Sequence, residues 1–256
     1  MTNTPSPKPS TPQRLGGGTT TAVIMAAGLG SRFGSMTETM PKGFIEVGGK
    51  AMVIRSIETL IECGIKRIII GTGYHREWYE RLAEQYPQVE TVFSPRYAET
   101  NSMYTLYNSR EAIGDDDFLL LESDIIFSRN AITHLLEDTH KDIMLITPVT
   151  KFQDQYYVEH DDDGTLTRCS TIKEEVQAAG ELVGIHKLSS AFYKTMCSEY
   201  AKIVDEKPKL GYEYQLLWMS QNVSPVFVLN AKDVAWYEID DADDLAYAEE
   251  NIVNKL

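Results

Sequence analysis

Four short segments dominated by apolar residues constrain this chain more than any other feature: Thr21 to Ala27, Arg67 to Gly71, Asp117 to Glu122 and Ile143 to Thr147. Between them, apolar residues recur at helical spacing over Met52 to Cys63, Glu77 to Tyr86, Asn101 to Ile113 and Asn130 to Asp138. A strand with no polar side must be covered on both faces, and the intervening helices can supply that cover. The alternation therefore predicts an α/β fold, a Rossmann-like, mostly parallel sheet with helices on both faces. A further strand is expected at Glu90 to Phe93.

The second half reads differently. Tyr156 to Glu159 and Thr165 to Arg168 flank a turn at Asp163-Gly164, which predicts a small β-hairpin insertion. The triplet Asp161 to Asp163 lacks the ligand spacing of a calcium loop and reads as a solvated turn. Helices are expected over Lys187 to Val204 and Tyr212 to Gln221. Strands are expected at Val226 to Leu229 and Val234 to Glu238, and a closing helix at Ala242 to Ile252. Residues 1–18 are rich in Thr, Pro, Ser and Gly and carry too little apolar surface to offset the entropy of ordering. They are expected to be a disordered tail, with residues 19–256 forming one domain.

Charge and cysteine usage narrow the partners. A net charge of −14 argues against nucleic acid and anionic membranes, since both require a basic surface. Cys63, Cys169 and Cys197 are widely spaced and fit free thiols in a reducing cytoplasm. No apolar stretch is long enough to span a bilayer, so a cytoplasmic protein is expected. Nothing in the sequence marks an oligomeric state.

The first apolar run leads directly into Ala26-Ala27-Gly28-Leu29-Gly30-Ser31-Arg32. In open parallel sheets, ligands bind beyond the carboxyl ends of the strands. Phe33 stands where a dinucleotide fingerprint needs its third glycine, and Lys42 follows proline where a Walker loop needs glycine. Glycines alone would suit a plain turn. Arg32, Thr37 and Pro41-Lys42 extend the pattern beyond one. Bare backbone N–H groups can cradle phosphates, Arg32 can fork onto phosphate oxygens, and Lys42 can add a point charge.

The stretch AAGLGSRFGSMTETMPKGFIEVGGKAM resembles the signature of the nucleotidyltransferases that make NDP-sugars and related activated small molecules, Gly-x-Gly-x-Arg followed by Pro-Lys. Ala51 departs from the proline that many sugar-directed members carry. The resemblance implies catalytic roles for Arg32 and Lys42, and a nucleotide site formed by Ala26, Ala27, Gly28, Leu29, Gly30, Asn101 and Ser102. It also implies Mg²⁺ held by Asp124 (LLLESD) and Asp240 (WYEID). Within the family, ETNSMYTLYNSREAI and YEID resemble the small phosphocholine cytidylyltransferases and the enzymes that cytidylylate 2-aminoethylphosphonate. CTP is then the donor, and the acceptor pairs an anionic phosphorus group with a cationic nitrogen.

Glu238, two residues before Asp240 and on the same side of a strand, is expected to meet that cation, with Tyr104, Tyr156 and Tyr212 as walls. Carboxylates near these tyrosines (Glu174, Glu175, Glu213), with no tryptophan in the hairpin, favour a primary amine. The expected acceptor is therefore 2-aminoethylphosphonate, with phosphocholine second. The alternatives are a sugar-1-phosphate nucleotidylyltransferase using UTP or dTTP, and a catalytically silent nucleotide-sensing subunit.

Overall fold

The structure, a computed structural model, describes residues 18–150 and 155–256. All but the last residue of the expected tail lies outside the described residues. Four strands run parallel in the order Val89–Phe93, Arg67–Thr72, Thr21–Ala26 and Phe118–Glu122. Met25 lies opposite both Gly71 and Glu122, so these strands finish together along one edge. That edge carries the site.

Alternate residues of one strand feed two separate cores, as the period of two demands. Ala22 and Ile24 pack with Ile57, Leu60, Tyr79 and Leu135 on one face. Val23 and Met25 pack with Met103, Leu106, Tyr193 and Tyr200 on the other. The apolar runs are continuous because both faces are covered. A third cluster (Phe33, Ile45, Met52, Ile126, Ile239 and Ile252) anchors the segments around the glycine-rich loop and the closing helix.

Beyond Phe118–Glu122 the sheet turns antiparallel through the nine-residue strand Gly180–Leu188. This strand also pairs with Ile143–Thr147 and with Tyr157–His160, and Phe227–Asn230 adds in parallel to Ile143–Thr147. Together they form a nine-stranded mixed sheet in which the four adjacent strands from Val89–Phe93 to Phe118–Glu122 are parallel. The hairpin pairs Tyr157–His160 with Leu166–Ser170 and extends this sheet rather than standing apart from it.

Two of the expected elements need correction. The helix expected from Lys187 begins only at Ser190, because residues 180–188 form a strand in which Glu181 and His186 are fully buried. The helix expected over Asn101 to Ile113 is interrupted at Ser109, whose N–H and hydroxyl both turn back onto the preceding helix. Among the described residues no helix is long and apolar enough to cross a membrane. All three cysteines are buried free thiols.

Candidate active site

A cavity of about 480 Å³ opens at the carboxyl ends of Thr21–Ala26 and Phe118–Glu122. The loop after the first strand forms one wall. Thr37 donates its hydroxyl to the Gly30 carbonyl at 2.9 Å, and Phe33 N–H returns to the same carbonyl at 3.1 Å. Gly30 has φ +64, and a Cβ there would lie 3.2 Å from both Lys42 and Thr37, so both conformation and space call for glycine. At Gly28 an added Cβ would meet nothing within 4 Å. Its backbone is left bare toward the cavity.

Pro41 then leads in extended geometry into a short 3₁₀ turn, Lys42–Phe44, which carries Lys42 to the cavity floor. A two-stranded ribbon joins the carboxylates from distant parts of the chain. Ile125–Phe127 pairs antiparallel with Trp236–Glu238, and Ile239 N–H donates to the Asp124 carbonyl at 2.9 Å. Asp241 caps the closing helix through the N–H groups of Asp243 and Asp244, and Asp244 accepts from Asp240 N–H. These neighbours hold the Asp240 backbone and leave its carboxylate to the site.

Lys42 Nζ reaches Asp124 at 2.6 Å and Asp240 at 2.5 Å, and Arg32 adds a contact to Asp240 at 2.7 Å. The Asp240 side chain is 4% exposed and that of Lys42 12%. Burial alone would lower the pKa of Lys42. The carboxylates of Asp124 and Asp240 outweigh that and hold the ammonium above the usual lysine range. The second Asp240 oxygen, Oδ2, is buried with no hydrogen-bond partner among the described residues.

Beside this pair, Glu122, Asp124 and Glu238 each bring a carboxylate oxygen within 4.8 Å of the other two. An all-oxygen, carboxylate-rich donor set suits a hard divalent cation such as Mg²⁺, and the unsatisfied Asp240 oxygen adds to the demand for positive charge. The residues present fit the metal that the resemblance implies.

Further acidic and aromatic groups line the same cavity. Glu213, 5% exposed, has Oε2 buried without a partner among the described residues. Burial raises its carboxyl to about 7. Tyr156 lies near enough that Glu213, after burial itself, pushes its hydroxyl upward. Gln155 also lines the cavity, and its amide nitrogen is buried without a partner among the described residues. Glu122 is held by Tyr212, whose hydroxyl donates to Oε1 at 2.7 Å. Burial first, then the charges of Asp124, Glu238 and Glu213, hold the Glu122 carboxyl well above the usual range.

The structure brings together most of the residues singled out from sequence. Ala26, Ala27, Gly28, Leu29, Gly30, Arg32, Lys42, Asn101, Ser102, Asp124, Tyr156, Glu238 and Asp240 all line the one cavity. Asn101 additionally caps the helix Ser102–Asn108, and the Ser102 hydroxyl accepts from Tyr212 N–H.

Two expected acceptor walls are not walls. Tyr212 is fully buried, in contact with Glu122 and His186. Tyr104 is outside the lining, with the Arg96 guanidinium over its ring at 5.4 Å. Glu238 sits in the carboxylate group with Asp124, a place suited to a metal more than to an amine. Sequence reasoning did not assign Glu122 or Gln155 to the site. Glu122 stands in the quoted LLLESD, but a glutamate ending a strand reads as solvated.

The profile of the MobA-like NTP transferase domain matches residues 22–161, more than half of the chain. The 2-aminoethylphosphonate cytidylyltransferase of Lancefieldella rimae is 36% identical over 109 residues, 43% of this chain and 44% of that protein. The choline-phosphate cytidylyltransferase of Streptococcus pneumoniae is 28% identical over 240 residues, 91% of this chain and 99% of that protein. The solved structure of the CTP:phosphocholine cytidylyltransferase LicC from S. pneumoniae matches with a TM-score of 0.76 at 26% identity, over 90% of this chain and 97% of that one. The alignment thus spans less than half of the first relative and nearly all of the second. Proteins named UTP–glucose-1-phosphate uridylyltransferases, from Haloferax volcanii and Staphylococcus saprophyticus, are also related.

Proposed function

We propose, for a chain that belongs to the family of MobA-like NTP transferase domains, that it transfers CMP from CTP to a small acceptor carrying both a phosphonate or phosphate and an ammonium group, releasing pyrophosphate. The acceptor favoured is 2-aminoethylphosphonate, with phosphocholine second. One observation carries this reading: a single cavity is lined both by bare glycine backbone, Arg32 and Lys42 and by the buried carboxylate of Glu213. The first group suits a triphosphate. The second suits a cation, because a buried carboxylate without a counter-charge is costly until a positive group meets it. A sugar phosphate brings no such group, which sets the uridylyltransferase reading behind this one.

In the reaction, an acceptor phosphonate or phosphate oxygen attacks the α-phosphorus of CTP in line. The new P–O bond forms as the bond from the α-phosphorus to the bridging oxygen breaks, and pyrophosphate leaves on the opposite side. The nucleophile is already anionic, so no side chain has to remove a proton. This chain's contribution is positioning and charge. The loop Ala26 to Gly30 places the triphosphate, and Asn101 and Ser102 border the nucleoside side. Arg32 and Lys42 exchange their contacts with Asp124 and Asp240 for phosphate oxygens, and Glu213 with Tyr156 seats the ammonium. Mg²⁺, held by Asp124 with Glu238 and Asp240, would neutralise charge on the α-phosphate and on the leaving pyrophosphate.

The test is pyrophosphate release with CTP, UTP, dTTP and ATP against 2-aminoethylphosphonate, phosphocholine and glucose 1-phosphate. The reading expects CTP with the amine-bearing acceptors. A preference for UTP with glucose 1-phosphate would replace it, and pyrophosphate release with none of the pairs would favour a silent nucleotide-binding role.

A further inference from the structure

Tyr212 and His186 are fully buried, and neither is among the residues lining the cavity, yet they form a chain that ends on a cavity residue. The Tyr212 hydroxyl donates to Glu122 Oε1 at 2.7 Å, and His186 Nε2 lies 3.1 Å from the same hydroxyl. A hydroxyl has one proton to give. With that proton on Glu122, the oxygen accepts from His186, which fixes the imidazole with its proton on Nε2. Burial keeps His186 neutral, its pKa pushed down to about 3, so it acts as a fixed dipole at working pH.

The other Glu122 oxygen lies close to glycine backbone. Gly184 has φ +78, and a Cβ there would lie 2.7 Å from Oε2. Such a glycine lets backbone and carboxylate approach more closely than any other residue allows. Glu122 is therefore hydrogen-bonded at Oε1 and closely approached by backbone at Oε2, and Glu213 is close enough to repel it. Together with Gln155, these acids put hydrogen-bonding groups into a cavity that Tyr79, Tyr97, Tyr156 and Trp236 also line.

We propose that Glu122 is a specificity-determining residue, aimed by Tyr212 and His186 as positioning residues, and that it makes the acceptor site select an ammonium bearing N–H groups over a trimethylated one. This rests on the amine-bearing acceptor proposed above. A primary ammonium has three N–H donors, and each left unpaired in a buried site is costly. Glu122 and Glu213 supply acceptors for them. A trimethylammonium offers no donor, and its methyl groups hold the charge away from both carboxylates.

The experiment compares 2-aminoethylphosphonate with its N,N,N-trimethyl analogue as acceptors for CTP, in the full chain and in Glu122→Gln and Tyr212→Phe. Both substitutions nearly preserve shape, and circular dichroism melts check their folding. The unaltered protein should favour the primary amine by about tenfold or more in kcat/KM. Glu122→Gln should raise the KM for the primary amine by about tenfold, the loss expected for one charge-assisted hydrogen bond, and leave the trimethyl analogue nearly unaffected. Asp124, Glu238 and Asp240 remain to hold Mg²⁺ in Glu122→Gln, so the KM for CTP and the half-saturating Mg²⁺ concentration should change less than the KM for the primary amine. Tyr212→Phe should act in the same direction and more weakly. Equal losses for both acceptors, or a Mg²⁺ requirement raised as much as the acceptor KM in Glu122→Gln, would overturn the inference and make Glu122 chiefly a metal ligand. Equal turnover of the two acceptors by the unaltered protein would overturn it alone and leave cytidylyl transfer standing. No CMP transfer to either would remove the cytidylyl reading and the inference together.

Discussion

Glu213→Gln should make the protein more stable and less able to hold its acceptor, and the two effects should separate with pH. Burial raises the Glu213 carboxyl from 4.5 to about 7. A carboxyl with a raised folded pKa binds its proton more tightly in the fold than in the unfolded chain. Its stabilising contribution is complete below about pH 4.5 and is lost as the pH rises through about 7. At about 1.4 kcal/mol per pH unit, the interval corresponds to about 3 kcal/mol by pH 8. Glutamine carries no titrating proton, so the variant escapes that loss.

Urea or thermal denaturation of both proteins, without ligands, should give nearly equal stabilities at pH 4.5. At pH 8 the variant should be ahead by up to about 3 kcal/mol, or roughly 6–12 °C in Tm for a domain of this size. In the same variant, the KM for 2-aminoethylphosphonate should rise by an amount equivalent to about 1.5–3 kcal/mol. The KM for CTP should stay nearly constant. A stability difference that is the same at both pH values would refute the claim that Glu213 is strained by burial. Equal KM changes for acceptor and CTP would refute its place at the amine.

Lys42→Met should leave Asp124 and Asp240 without their common cation, costing about 3–5 kcal/mol in denaturation experiments without divalent metal. It should also lower kcat more than it raises the KM for CTP; an unchanged Tm would argue against a buried ionic cluster, and a pure KM effect would confine Lys42 to ground-state binding. Asp124→Ala should abolish turnover in Mg²⁺ with the fold intact by circular dichroism, and near-normal activity would remove Asp124 from the metal site. Gly184→Ala meets both a positive φ and the 2.7 Å approach to Glu122. It should cost about 1–3 kcal/mol of stability and raise the acceptor KM more than the CTP KM, and unchanged kinetics would show that the close approach of Gly184 to Glu122 has no part in acceptor binding.

The parts of this molecule that sequence makes legible are those whose cause is local. The strand Thr21–Ala26 and its glycine-rich loop lie within a dozen residues, and the loop's geometry follows from Gly30 and Thr37 close by. Asp124 and Asp240 each follow a short apolar strand, so their position at a strand end could be read without the fold.

The strand Gly180–Leu188 could not be read in the same way. It buries Glu181, His186 and Lys187, and each has a hydrogen-bond partner far away in the chain. Thr150 donates to Glu181, Tyr212 lies against His186, and Lys187 donates to the Asp138 carbonyl. Polar residues at those positions hide the strand and lend the segment an apparent helical period running into Ser190–Ala201. Tyr212 is buried away from the cavity for a related reason. Its composition reads as an aromatic surface, while its role is set by Glu122, ninety residues away.

The central claim is that one cavity joins the α-phosphorus of CTP to the oxygen of an acceptor that also carries an ammonium. Phosphorus NMR of the protein with CTP, Mg²⁺ and 2-aminoethylphosphonate tests this most directly, because it reports the bond formed. The account predicts loss of the free phosphonate resonance and appearance of two mutually coupled signals, one phosphonate and one phosphate, as pyrophosphate accumulates. A spectrum in which the phosphonate and CTP stay unchanged, while UTP and glucose 1-phosphate are consumed in a parallel sample, would contradict it.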